Sequence, residues 1–176
     1  MRGHCILCHG FESGPEATKV TALAQAAEYR GWTHERPDFT DLDAKREIGA
    51  LGDVAARVQR LLRIAQDAAS GGPLVLAGSS LGAWIAGEVS LHVPVTGLFF
   101  MAPPIGLDGD HPLNAAAVPT SIIHGWDDEL IPAPHVIEWA QSRRARLLMV
   151  DDNHRLSAHV AASTDAFAAL LSMVAG

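Results

Sequence analysis

Gly78-Ser79-Ser80-Leu81-Gly82 sets a serine between two glycines, each two residues away, after an apolar run and before an apolar helical pattern. A serine so placed sits on a sharp strand-to-helix turn, where only glycine at the flanking positions avoids Cβ clashes between the two elements. Its hydroxyl becomes a nucleophile only beside a general base. Three other apolar runs end in residues that could complete the chemistry. His9-Gly10-Phe11-Glu12-Ser13 follows the first run, His124-Gly125-Trp126-Asp127-Asp128 the fifth, and Asp151-Asp152-Asn153-His154 the sixth. A serine, an acid and a histidine therefore follow three different runs. An imidazole that takes the serine proton and a carboxylate that fixes its tautomer are the parts of acyl transfer through a covalent acyl-enzyme.

From the residues alone the acid is Asp127 or Asp128, with Asp151 and Asp152 as further rivals. The base is His154 or His159, the latter at the start of the last helical pattern. Other residues have simpler readings. His9 shapes its turn, His124 ends a strand, and Trp84 and Trp139 belong to the core. Phe11 and Trp126 flank the candidate residues and are read as lining a substrate pocket. His4, His34, His92, His111 and His135 share no ligand spacing, so neither a metal nor a cofactor is expected. The Gly-Ser turn lacks the lysine of a phosphate-binding loop. Cys5 and Cys8 form a CxxC, but residues three apart in a strand point to opposite faces, so they are read as small core residues.

The elements that must hold these residues alternate along the chain. Short apolar runs at 5–8, 74–77, 95–101, 121–123 and 146–150, with a weaker one at 33–36, read as strands. Val20, Leu23, Ala24 and Ala27 follow helical spacing toward Gly31, and Ser13 with Glu16 has capping-box spacing around Pro15. Val54, Val58, Leu61, Leu62 and Ala65 mark a second helix, 135–143 a shorter one, and 160–174 a last one. Residues 81–91 are apolar almost all round, as a helix buried under a sheet must be. Such alternation predicts βαβ units and a parallel sheet covered on both faces, with ligands at the C-terminal strand ends. Residues 102–118 are the longest stretch without a pattern, as functional loops often are.

The chain has 176 residues, 20 acidic against 13 basic for a net charge of −7, with 48% apolar and 19% charged residues. That length suits one domain, residues 1–176, with a core of its own. The acidic balance argues against nucleic acid as a partner. No apolar run reaches membrane-spanning length, so no membrane association is expected. The first ten residues lack a signal peptide's cationic head and apolar core, and a cytoplasmic setting is expected.

The chain order Ser, Asp, His, the His9-Gly10-Phe11 turn, the Gly78–Gly82 motif and His124-Gly125-x-x-Asp128-x-x-Ile131-Pro132 together resemble the serine hydrolases of the α/β-hydrolase superfamily. The similarity is strongest to its small, lidless, bacterial esterase-like members and covers nearly the whole chain. It implies a minimal α/β-hydrolase fold: a mostly parallel six-stranded sheet, helices on both faces, no lid domain. It also implies Ser80 as nucleophile, Asp128 in preference to Asp127 as acid, His154 as base, and backbone N–H groups of Phe11 and Leu81 as the oxyanion hole. With only residues 102–118 to cover the site, the substrate class implied is a small or accessible ester or thioester. The alternative is a non-catalytic domain of the same fold that binds a partner through its cleft or surface; three filled triad positions favour the enzyme.

Overall fold

Apolar runs too short for a helix and rich in Leu, Val, Ile and Phe form extended strands. In the computed structural model, which describes residues 2–175, five such strands and one short polar strand make one parallel sheet. The chain runs β1 (His4–Cys8), α1 (Thr18–Tyr29), β2 (Thr33–Glu35), α2 (Thr40–Asp43), α3 (Val54–Ala69), β3 (Leu74–Ser79) and α4 (Leu81–Ser90). It continues with β4 (Gly97–Met101), the two-residue strands β5 (Gly106–Leu107) and β6 (His111–Pro112), β7 (Thr120–Gly125), α5 (Ala133–Arg143), β8 (Arg146–Val150) and α6 (Val160–Val174). The sheet order is β2-β1-β3-β4-β7-β8, every pairing parallel, so the α/β-hydrolase arrangement expected from the sequence is the one observed. β5 and β6 form a separate antiparallel pair.

Strand alternation divides the core in two. Cys5 and Leu7 face α1 and α6, while Ile6 and Cys8 face α3, α4 and α5. The two thiols therefore lie on opposite faces, both free, and burial pushes that of Cys8 up to about 12. Nine of the ten residues of α4 are buried, as its lack of a polar face requires. Its position between sheet and α3 fixes where Ser80, the residue before it, must stand.

Strand order also decides which loops meet. The chain passes from β1 to β2 on one side and then to β3 on the other, so the sheet order reverses between β1 and β3, and ligand sites form at such a switch point. Cys8 pairs with Gly78, so the residues after β1 emerge beside those after β3. Gly125 pairs with Val150, which does the same for the turns after β7 and β8.

Two expectations need correction. Ser13 and Glu16 do not cap a helix: α1 starts at Thr18 behind Ala17 with no side-chain cap, because residues 14–17 form a turn closed by the Ala17 amide on the Gly14 carbonyl. Residues 102–118 are not patternless, since they hold the β5–β6 hairpin. The indole N–H groups of Trp84 and Trp139 tie that segment down through the His111 and Leu113 carbonyls, at 3.2 and 3.0 Å. One stretch, Ser157–Val174, is by length and composition alone apolar enough to cross a membrane, with 28% of it buried, although Ser, His, Thr and Asp interrupt it. Phe167, Leu170 and Leu171 of that stretch pack on the α1 face of the sheet.

Candidate active site

The turn from β3 into α4 holds Ser80 at φ 51° and ψ −120°, in the left-handed half of backbone space that costs a non-glycine residue about 1–3 kcal/mol. The Ser80 amide is held by the Met101 carbonyl at 2.8 Å. A Cβ on Gly78 would collide with the backbone of Gly82 and Ala83, and one on Gly82 with the carbonyls of Cys8 and His9. Both glycines are thus required by close approach, and α4 rests directly against the end of β1.

The structure brings three of the sequence-predicted residues into one relay. Ser80 Oγ lies 2.9 Å from His154 Nε2, and His154 Nδ1 lies 2.8 Å from Asp128 Oδ2. With Nδ1–H donating to the carboxylate, Nε2 is left to accept the hydroxyl proton. The other Asp128 oxygen accepts the amides of Leu130 and Ile131 at 2.9 and 2.7 Å, so the carboxylate is fixed at both ends. The Asp128 side chain is fully buried and His154 14% exposed, which keeps the relay open to the cleft at the serine end only.

The rivals lie elsewhere. Asp127 and Asp151 point to solvent. Asp152 accepts from His159 Nδ1 at 2.9 Å, a bond that holds its carboxyl below the usual range. His159 is therefore engaged away from Ser80. His124 is buried, its Nε2–H donating to the Ile131 carbonyl at 2.9 Å and lying 3.5 Å from Asp128 Oδ2. Burial pushes its pKa down, so beside Asp128 it stands as a neutral ring.

The loop after β1 is the second half of the site. Gly10 to Ser13 form a turn closed by the Ser13 amide on the Gly10 carbonyl at 3.3 Å, with Glu12 at φ 56°. A Cβ on Gly10 would stand 3.7 Å from that of Ser80, so this turn abuts the serine. Among the described residues neither the Phe11 nor the Leu81 amide has a protein acceptor. His9 is locked as one tautomer: Nε2 accepts the Phe39 amide at 2.9 Å and Nδ1–H donates to the Gly10 carbonyl at 2.7 Å. Burial lowers its pKa, so it serves the turn as a neutral hydrogen-bonding residue.

Sequence reasoning missed what holds this turn. Arg57, on α3 and fully buried, donates to both Asp43 oxygens at 2.8 and 2.7 Å and to the carbonyls of His9 and Gly10 at 3.1 and 3.2 Å. Asp43 in turn accepts the Glu12 amide at 3.1 Å. The pair clamps the turn from both sides. A signal existed: Arg57 lies three residues after Val54 and four before Leu61, so it falls inside the apolar stripe of α3, where a solvated arginine has no place.

These loops enclose a cleft of about 1020 Å³, large for a small-molecule site, reached by Ser80, His154, Phe11, Leu107 and Ile131 among others. Trp126 does not line it. Trp126 is 55% exposed, with its amide on the Val150 carbonyl, so of the two aromatic residues expected there only Phe11 is present.

The sequence model of the alpha/beta hydrolase family matches residues 5–175. A presumed hydrolase of the alpha/beta superfamily from Xanthomonas campestris pv. campestris is 65% identical, with 97% of this chain and 99% of that one covered and a TM-score of 0.96. A lidless α/β serine hydrolase from Xanthomonas campestris superposes at a TM-score of 0.75 with 19% identity, covering 98% of this chain and 82% of that one. Est1E from Butyrivibrio proteoclasticus does so at 0.76 with 17% identity, covering 97% and 87%. The last two likenesses are of fold. No curated protein sequence matches the chain.

Proposed function

The chain belongs to the alpha/beta hydrolase family, and within it we propose a serine hydrolase that cleaves a small or accessible carboxylic ester, or a thioester, through an acyl-enzyme. The observation that carries this reading is the Ser80–His154–Asp128 relay, 2.9 and 2.8 Å long, on a turn strained at the serine. A purely binding role gives no reason to hold a non-glycine residue at φ 51° with its hydroxyl on an imidazole.

In this mechanism Ser80 Oγ bonds to the ester carbonyl carbon as its proton passes to His154 Nε2. The carbonyl π electrons move onto oxygen, where the Phe11 and Leu81 amides receive them, each donor contributing about 3–4 kcal/mol in comparable sites. Asp128 stabilises the imidazolium so formed. Collapse breaks the bond to the alcohol or thiol, which leaves with the His154 proton. Water then loses a proton to His154, attacks the acyl carbon, and Ser80 departs reprotonated as the acid is released. Phe11, Leu107 and Ile131 offer the substrate its apolar surface.

A fluorophosphonate probe tests the reading. Wild-type protein is labelled and Ser80→Ala is not; an unlabelled wild type, or equal labelling of the variant, overturns it. A series of p-nitrophenyl esters of rising chain length, with acyl thioesters alongside, then ranks substrates, and activity peaking at long chains contradicts the small-substrate assignment.

A further inference from the structure

Resting on the reading of Ser80 as an ester-cleaving nucleophile, we propose that the substrate is an anion, an ester bearing a separate carboxylate or phosphate that Lys19 and Arg155 bind at the α1 wall of the cleft. Both residues line the cleft, and Lys19 Nζ donates to the Arg155 carbonyl at 2.8 Å, so the two stand next to each other. Neither has a carboxylate within ion-pair distance among the described residues. Four of the other cations are matched: Arg36 with Glu16, Arg46 with Glu12, Arg57 with Asp43 and Arg60 with Asp41. Lys19 and Arg155 are the Lys and Arg residues that line the cleft, adjacent to each other and in no ion pair, in a chain of net charge −7.

Helix stability does not explain Lys19. It occupies the first turn of α1, where the helix dipole disfavours a cation, and that turn has neither an acidic residue nor a side-chain cap. Its single bond to the Arg155 carbonyl holds Nζ at the cleft and leaves two N–H donors for a ligand. Partial burial lowers its pKa, the mark of an ammonium short of water, and an arriving anion offsets that cost.

Most of the nearby acids are matched: Asp128 holds His154, Asp152 holds His159 and Glu12 pairs with Arg46, while Glu129, which also lines the cleft, accepts only the neutral His154 amide at 3.2 Å. Asp108, in the β5–β6 turn, also lines the cleft and repels an anion from that side, which directs the ligand's charge toward α1.

The test compares esters that differ by one carboxylate. p-Nitrophenyl glutarate is set against p-nitrophenyl pentanoate for a charge on the acyl side, and 4-carboxyphenyl butyrate against 4-methylphenyl butyrate for the alcohol side. Each rate is normalised to alkaline hydrolysis. At low salt, kcat/KM for at least one anionic ester exceeds its neutral partner tenfold or more, and 0.5 M salt erodes the preference. The anionic-to-neutral ratio falls about tenfold in Arg155→Gln and in Lys19→Gln. Arg155→Gln keeps the backbone carbonyl that Lys19 holds, so its effect cannot arise from a lost tether. Competition by glutarate and by inorganic phosphate tells carboxylate from phosphate; inhibition by neither counts against the proposal. Ratios near one in the wild type, or unchanged in both variants while Ser80 still labels, overturn the anion site and leave the hydrolase reading standing. If no ester turns over and Ser80 does not label, calorimetry of p-nitrophenyl glutarate with Ser80→Ala protein decides. Salt-sensitive binding that Arg155→Gln weakens keeps the anion site while the hydrolase reading falls, and no binding overturns both.

Discussion

Arg57→Met removes the buried guanidinium that links α3, Asp43 and the turn after β1. Four hydrogen bonds go with it, and the Asp43 carboxylate, whose side chain is 4% exposed, keeps only the Glu12 amide. Leaving one charge of a buried pair unmatched costs about 3–5 kcal/mol. For a chain of this length that lowers Tm by roughly 6–20 °C. The double variant Arg57→Met/Asp43→Leu removes both charges and regains part of the loss, about 2 kcal/mol, because only the His9 carbonyl and the Glu12 amide then lack a partner, the Gly10 carbonyl still accepting from His9 Nδ1 and the Ser13 amide. Activity does not follow stability. Without the clamp the Phe11 amide drifts from the oxyanion it is to receive, so kcat falls about 10- to 100-fold in both variants while KM changes little, the pattern of an interaction made in the transition state alone. Thermal unfolding and p-nitrophenyl acetate kinetics read the two effects separately. A double variant with wild-type kcat would show that the clamp serves folding only, and a loss below 1 kcal/mol in Arg57→Met would refute the electrostatic reasoning.

Two other outcomes follow from the same geometry. His9 and His124 have folded-state pKa values lowered by burial, so below about pH 6.5 the unfolded chain binds protons that the folded chain does not. Stability is therefore present in full above pH 6.5 and declines as pH falls from there toward the folded pKa values, at up to about 1.4 kcal/mol per pH unit for each ring. Urea midpoints at pH 7.5, 6.5 and 5.5 check this, and a flat midpoint contradicts it. Gly82→Ala drives a Cβ into the Cys8 and His9 carbonyls and is expected to yield little soluble protein or a kcat loss of at least 100-fold. Gly71→Ala, whose Cβ would stand 3.4 Å from the Ala68 carbonyl, is its control and changes stability by about 0.5 kcal/mol or less.

The legible features share a local cause. Val, Leu, Ile and Phe runs bounded by Gly, Pro and Asp announce strands by themselves, and the all-apolar pattern at 81–91 announces a helix with no solvent face. The illegible ones depend on partners far along the chain. Ser13 and Glu16 have the spacing of a capping box, yet Ser13 closes the turn on Gly10 and Glu16 lies in a second turn closed by Ala17 on Gly14, before the helix begins. β2 is three residues long with partly exposed side chains, and only its pairing with β1 makes it a strand. The β5–β6 hairpin depends on indole donors from α4 and α5, which nothing within 102–118 predicts.

At the cleft the division is sharper. The residue types and their order, a serine between spaced glycines, then an acid, then a histidine, are properties of the chain alone, because each follows a strand and parallel strands deliver their ends to one edge of the sheet. Which acid meets the imidazole is not. Asp127 and Asp128 are neighbours in sequence, but the turn after β7 sends one to solvent and buries the other 2.8 Å from His154, and a single residue of register separates the two outcomes. Trp126 lies exposed in that same turn. The Arg57–Asp43 clamp and the Lys19–Arg155 pair join residues 14 and 136 positions apart. Charges brought together over such separations depend on where the sheet and helices carry the backbone, so tertiary structure alone decided them.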